Sequence, residues 1–438
     1  MSRKKLLFDT YVHTLEEITP QRLISKQCRV DKDMLHIGKS SYDLVDYKKV
    51  VLLGSGKAVV PMAKAVQKLL GDKIAQTLLV GPYPYTSNDF QTRYIQSSHP
   101  LPSDASLEAA DALKKSLLDL TEDDLFIYLL SGGTSSLVEH PQMGITLDDF
   151  QTATSIMLKS GMPIEMLNSV RKHLSAVKGG RLAAHTKAQG IVLTLSDVIS
   201  DDLHSIGSAP LYCDTSTFTD ALEYLKEYEA LHKLPESVQT YLLEGAKGKH
   251  RETPKAPNKK VTHHIVGSNS EVMKIAEQYL KTHGIVTHKV DEPLQGDTDN
   301  AVDMLLKLLK EKQEQTYCYI LGGESTVKVT KDGHGGRNQH LALAFLCKLD
   351  GDKEVTLLCA ATDGIDGNSD AAGALIDSHS RVQAMNCHLD PEHYLREFDS
   401  NTFFAATDEL LMPGPTHNNL LDIVLMLVEN PKHRSNNG

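Results

Sequence analysis

Residues 50–70 read VVLLGSGKAVVPMAKAVQKLL. Four aliphatic residues, Val50–Leu53, form a short apolar run of the kind a fully buried strand needs. The Gly54-Ser55-Gly56-Lys57 turn follows, and Ala58–Leu70 then repeats apolar residues at helical spacing. Strand, glycine turn and helix in 21 residues are half of a βαβ unit. The same grammar recurs along the chain. Apolar runs at Thr77–Val80, Leu125–Leu130, Ile191–Leu195, His264–Val266, Tyr317–Leu321 and Val355–Ala360 read as buried strands. Helical patterns at Ser106–Leu118, Phe218–Leu231, Glu271–Thr282 and Ala301–Lys310 lie between them. Alternation of this kind predicts an α/β fold with parallel sheets covered by helices on both faces, and ligands at the carboxyl ends of the strands.

The chain has 438 residues, a length for two or three domains. Residues 245–260 (GAKGKHRETPKAPNKK) hold no large apolar side chain and read as an interdomain linker. The expected division is 1–250, a larger Rossmann-like domain with a parallel sheet, and 251–438, a smaller α/β domain. Lys and Arg total 46 against 57 Asp and Glu, a formal charge of −11, which argues against a nucleic-acid binder. Trp is absent and aromatics are 5%, so a stacking platform for bases is disfavoured. No apolar run reaches 18 residues, and Leu6-Leu7-Phe8 is too short for a signal-peptide core. Six cysteines without a Cys-x-x-Cys pair, two of them (Cys318, Cys359) in apolar runs, read as buried thiols. A cytoplasmic protein without membrane partners is expected.

Chemistry is sought just after each strand. Gly54-Ser55-Gly56-Lys57 can offer backbone amides and one cation to an anion. It is neither the dinucleotide fingerprint, which would need Gly where Val59 stands, nor a Walker A loop, which would need Gly at Val51 and Ser or Thr at Ala58. Ser131-Gly132-Gly133-Thr134-Ser135-Ser136 suggests a hydroxyl-rich phosphate nest. Carboxylates recur at strand ends: Asp197 with Asp201 and Asp202, Glu324 behind Gly322-Gly323, and Asp363-Gly364-Ile365-Asp366. Such hard oxygen donors suit Mg²⁺ shared with substrate phosphates. Asp370 is expected only to cap a following helix. Arg337, behind Gly335-Gly336 and before Asn338, can clamp phosphate with two parallel N–H groups. Arg171, Lys178 and Arg181, spaced seven and three, read as a solvated helical face. His99 lies in a Ser-His-Pro loop that can touch ligand. Anion turns, a Lys, an Arg and carboxylates together match phosphoryl transfer.

These stretches, with Asn168–Leu182 (NSVRKHLSAVKGGRL) and Thr362–Ala374 (TDGIDGNSDAAGA), resemble the class II glycerate kinases, the MOFRL family, along nearly the whole chain. The resemblance implies two α/β domains with the active site in the cleft between them. It implies ATP- and Mg²⁺-dependent phosphorylation of D-glycerate to 2-phosphoglycerate. Lys57 and Arg337 match the family's essential basic pair, and Asp197 and Glu324 its acids. Gly54, Ser55, Gly56, His99, Ser131, Gly132, Gly133, Thr134, Ser135, Asn168, Asn338, Asp363, Gly364 and Asp366 fall in its nucleotide- and substrate-binding stretches, with Asp197, Glu324 and Asp363 the metal candidates. A homodimer is left open. The chain departs from the family pattern at Ser200, Ala209, Leu211, Pro413, His417 and Asn418. The alternatives are a kinase of another small hydroxy or sugar acid, and a hydroxypyruvate reductase, against which the missing dinucleotide fingerprint counts.

Overall fold

The run Leu125–Leu130 is buried at every position, as is Val50–Ser55 beside it. A strand apolar on both faces must be covered on both, and each fully buried Leu, Ile or Phe contributes about 2 kcal/mol. The computed structural model describes residues 2–86, 91–310, 315–349 and 354–429. The chain separates into two compact units: Pro20–Val266, and the residues up to Thr19 together with those from Gly267 on.

The first unit opens with a small antiparallel ribbon, β1 (Cys28–Asp31), β2 (Met34–Ile37) and β3 (Ser40–Asp43). Its main sheet holds β4 (Val50–Ser55), β5 (Ile74–Gly81), β6 (Thr92–Gln96), β7 (Leu125–Leu130), β8 (Gln189–Leu195) and β9 (Val261–Gly267) in the order β6-β5-β4-β7-β8-β9. The pairs from β6 to β8 are parallel. β4 and β7 run in register, Ser55 opposite Leu130, so the turns that follow them emerge side by side.

The second unit carries β10 (Val286–Lys289), β11 (Tyr317–Gly323), β12 (Val355–Ala361), β13 (Gly373–Asp377), β14 (Leu410–Leu411) and β15 (Asp422–Val428), in the order β10-β11-β15-β12-β13-β14. Only β10 and β11 pair in parallel. The fully buried β15 inserts between β11 and β12, antiparallel to both. The parallel sheet expected here is therefore mixed. The strand–helix alternation of 261–360 continues into a strand that returns from the chain's end, and local pattern carries no information about its direction. Asp370 has no helix to cap, since β13 follows it.

The boundaries also differ from a cut at residue 250. The helix Arg3–Glu17 belongs to the second unit, where Tyr11 Oη donates to Ala361 O at 2.7 Å and Asn418 Nδ2 to Ile18 O. Residues 245–260 are a strap on the first unit rather than a linker. Glu252 accepts from Phe218 N, Thr253 Oγ1 donates to Asp214 at 3.0 Å, and Asn258 Nδ2 donates to Ala183 O. A polar, Pro-rich segment packs here through hydrogen bonds that composition cannot distinguish from solvation. The cysteines of the described residues are all free thiols, and Cys318 and Cys359 are buried. Among the described residues no helix is long and apolar enough to cross a membrane.

Candidate active site

In the first unit, four strand ends meet. The turn after β4 docks on the turn after β7. Lys57 N donates to Gly132 O at 2.8 Å and Ala58 N to Ser131 Oγ at 3.1 Å. The approach requires Gly56, at φ 127°, because a Cβ there would lie 2.1 Å from Ser131 Oγ. The hydroxyls expected to hold phosphate divide in two. Ser55, Ser131 and Thr134 are buried, and Ser55 Oγ binds Tyr128 Oη at 2.7 Å and Thr134 Oγ1 at 3.0 Å. They fasten one turn to the other. Ser135 stays half-buried and binds Ser208 Oγ at 2.8 Å.

Asp197, in the turn after β8, lies against the same segment. A Cβ at Gly132 would sit 2.4 Å from Asp197 Oδ2, and one at Gly133 would sit 3.1 Å from His99 Cδ2 and 3.3 Å from Lys57 Cγ. Lys57, His99 and Asp197 thus all lie against the Gly132-Gly133 turn. Burial raises the Asp197 carboxyl above its ordinary range, opposed by its own backbone amide and by Lys57. Burial, with help from Lys57, lowers the His99 imidazole and so favours its neutral form.

Arg171 and Lys178 do not form a solvated face. Lys178 is fully buried against Glu139, whose other oxygen accepts from Ser175 Oγ at 2.6 Å. Burial lowers the Lys178 ammonium. Arg171 lies over the Phe150 ring, 5.8 Å from its centroid, and donates to Ser135 O at 3.3 Å and Asn168 Oδ1 at 3.5 Å. The helix Ile164–Leu174 packs among neighbouring helices, Phe150, Met157, Phe218 and Leu242 joining Leu167, Val170 and Leu174 in one core, and spacing alone does not reveal which residues face water.

In the second unit, the helix Arg337–Lys348 starts behind Gly335-Gly336. Its first turn is already satisfied. Asp366 Oδ1 accepts from Asn338 N at 3.1 Å and Oδ2 from Gln339 N at 2.9 Å, with the side chains of Asn338 and Gln339 adding further bonds. Asp366, expected at the ligand, is buried and accepts from the first turn of this helix, and Asn338, also expected there, is buried within that turn and donates to Asp366. Burial pushes the Asp366 carboxyl up to about 6. Arg337 Nε and Nη2 donate to Asp422 Oδ2 and Oδ1 at 2.6 and 3.0 Å, and Nη1 pairs with Glu324. The two-pronged edge expected to clamp phosphate is therefore filled by Asp422, and Nη1, paired with Glu324, is the remaining edge. That edge lines a pocket of about 480 Å³ with Glu324, Ser325, Gly335, Gly336, Asn368 and Ser400. Asp363 sits beyond the end of β12, with its Oδ1 accepting from Ile365 N. Gly364 packs under Gly414. Asp363, Asp422 and Asp366 all act on the Tyr11 phenol and, with its burial, raise it. Carboxylates thus outnumber the one cation, a donor set suited to Mg²⁺. Among the described residues no group of three or more His, Cys, Asp or Glu is arranged to hold a metal ion.

Asp422, the partner of Arg337, is not among the residues singled out from the sequence, and Arg171 is read there as part of a solvated face. Asp422 begins a strand, whereas the candidate residues of the sequence follow strand ends.

A family model for a domain of unknown function, DUF4147, matches residues 6–243, and the MOFRL family model matches 317–422. A D-glycerate 2-kinase of Thermotoga maritima is 34% identical over 98% of this chain and 99% of its own. A protein of Agrobacterium vitis that carries a hydroxypyruvate-reductase name is 34% identical over 87% of this chain and 99% of its own. The solved structure of a glycerate kinase from Thermotoga maritima superposes with a TM-score of 0.83 at 33% identity, covering 97% of this chain and 99% of that one.

Proposed function

The chain belongs to the MOFRL family together with these glycerate kinases, and on that premise we propose that it transfers the γ-phosphoryl group of ATP to the 2-hydroxyl of D-glycerate. The observation that carries the proposal is the meeting of Asp197, Lys57 and His99 around the Gly132-Gly133 turn. A carboxylate raised by burial is a competent acceptor for the hydroxyl proton. The adjacent ammonium balances charge on the entering oxygen and on the phosphoryl group. His99, neutral, orients the hydroxyl. No side chain has to form a bond to phosphorus. In the second unit Arg337 Nη1 meets phosphate oxygens, and Glu324 and Asp363 would hold Mg²⁺, which supplies charge neutralisation on the phosphates. Ser325 and the Gly335-Gly336 backbone complete the nucleotide contacts.

A coupled ADP-release assay with D-glycerate, ATP and Mg²⁺ tests the activity, and phosphorus NMR of the product tests the 2-hydroxyl. Turnover is expected with D-glycerate, and Lys57→Met should abolish it. Absence of ADP release above background would remove the kinase reading. NADH consumption with hydroxypyruvate in that case would put a reductase in its place.

A further inference from the structure

Arg171 is a cation without a carboxylate of its own. Its Nε is buried and has no hydrogen-bond partner. Its guanidinium donates at 3.3 and 3.5 Å to a backbone carbonyl and an amide oxygen, both neutral acceptors at the long end of the range. The acid that acts on it electrostatically, Glu139, is already committed: Oε2 to Lys178, Oε1 to Ser175 Oγ and His140 N. Two cations and one carboxylate leave this interior one positive charge in excess. Nearby Arg181 differs, since both Glu252 and Asp214 act on it. A charge withdrawn from water without a counter-ion is costly unless a ligand supplies the counter-ion.

The surroundings of Arg171 are built for such a ligand. Ser135 Oγ and Ser208 Oγ lie 2.8 Å apart, and Ser208 Oγ reaches Asn168 Oδ1 at 3.4 Å. Ser208 is delivered by an unusual backbone. Gly207, Ser208 and Ala209 all have left-handed φ, at 59°, 60° and 52°. Two successive non-glycine residues in that region are strained, and such strain gathers where a side chain must be aimed. Ser135 is three residues from Gly132, the residue against which Asp197 lies.

We propose that Arg171, with the hydroxyls of Ser135 and Ser208 and the amide of Asn168, is the subsite that binds the carboxylate of the hydroxy acid. The identity of that acid rests on the kinase reading; the anion site itself rests on the uncompensated guanidinium. Holding the carboxylate at Arg171 directs the acid's hydroxyl carbons along the turn toward Asp197 and Lys57. Selectivity for an acid over a neutral triol or amide then comes from this one cation.

Calorimetric binding of D-glycerate and of its carboxamide, D-glyceramide, to the wild-type chain and to Arg171→Gln tests the assignment. The wild-type chain should favour D-glycerate by about 50-fold, one charge-assisted contact, and the variant should bind the two alike. Arg171→Lys should recover part of the preference, and Ser208→Ala should lower D-glycerate affinity by about fivefold. Unchanged D-glycerate affinity in Arg171→Gln, or equal loss of both ligands, would overturn the subsite. If Arg171→Gln does not fold, the wild-type preference and the Lys and Ala variants decide; a wild-type chain that binds acid and amide equally refutes it. ADP release reads the kinase separately. Acid-selective binding without turnover would overturn only the proposed activity, and turnover with an Arg171-independent acid preference only the subsite.

Discussion

Replacing Asp422 by Asn probes how Arg337 is held. The change keeps the size and shape of the side chain, but swaps one acceptor oxygen for an NH₂ that meets a guanidinium N–H. Of the bonds at 2.6 and 3.0 Å, one is lost together with the charge. Losing a charge-assisted bond costs about 1.5–3 kcal/mol, and breaking a fully buried pair about 3–5 kcal/mol. Asp422 is 3% exposed, but Arg337 is 30% exposed and keeps Glu324, so screening and the surviving partner reduce the figure. We expect about 2 kcal/mol. With a urea slope near 2 kcal/mol per molar, the unfolding midpoint of the second unit should fall by about 1 M. The chain has no Trp, so circular dichroism is the suitable probe. Arg337 also loses its fixed orientation, and kcat should drop by about 10- to 100-fold, the usual range when a ligand-binding side chain loses its support. Asp422→Glu should retain the midpoint better than the Asn variant. A midpoint within about 0.2 M of wild type together with an unchanged kcat would refute the idea that Asp422 positions Arg337.

Gly132→Ala places a methyl group 2.4 Å from Asp197 Oδ2 without a left-handed backbone to strain, so turnover should fall by about 100-fold while the melting temperature changes little; equal activity would move Asp197 out of the reaction. Glu139→Gln leaves Lys178 and Arg171 buried without their shared carboxylate and should cost about 3–5 kcal/mol, read as a lower melting temperature. A wild-type melting curve would contradict the pairing. Asp366 titrates near 6 in the folded protein against about 4 unfolded. Between those values the folded state binds more protons, so this group's contribution to stability is present below about pH 4 and is lost as pH rises through 6. Unfolding free energies across that window should show the slope in wild type and lack it in Asp366→Asn. A variant with the same slope would deny the assignment.

The seven apolar runs and the turns after them were legible because a buried strand must be apolar and a strand-to-helix turn must use small residues. In a parallel sheet this suffices to locate the edge where the turns gather. Adjacent parallel strands deliver their following turns to one edge, so Lys57, His99, Gly132 and Asp197 meet although 140 residues separate the first from the last. The polar strap at 245–260 misled because hydrogen-bonded and solvated polar residues have the same composition.

The sequence by itself therefore determined the strand-and-turn architecture of the first unit's main sheet and which residues gather at the edge where its strands end. Tertiary structure decided what those residues are free to do. The antiparallel entry of β15 sets Asp422 opposite Gly323 and Ala361, at the edge where β11 and β12 end, and so occupies the Arg337 fork. Packing of the Ile164–Leu174 helix withdraws Arg171 from water and leaves its charge uncompensated. Strand direction and the sharing of counter-ions depend on which segments meet in space, and spacing along the chain does not encode that.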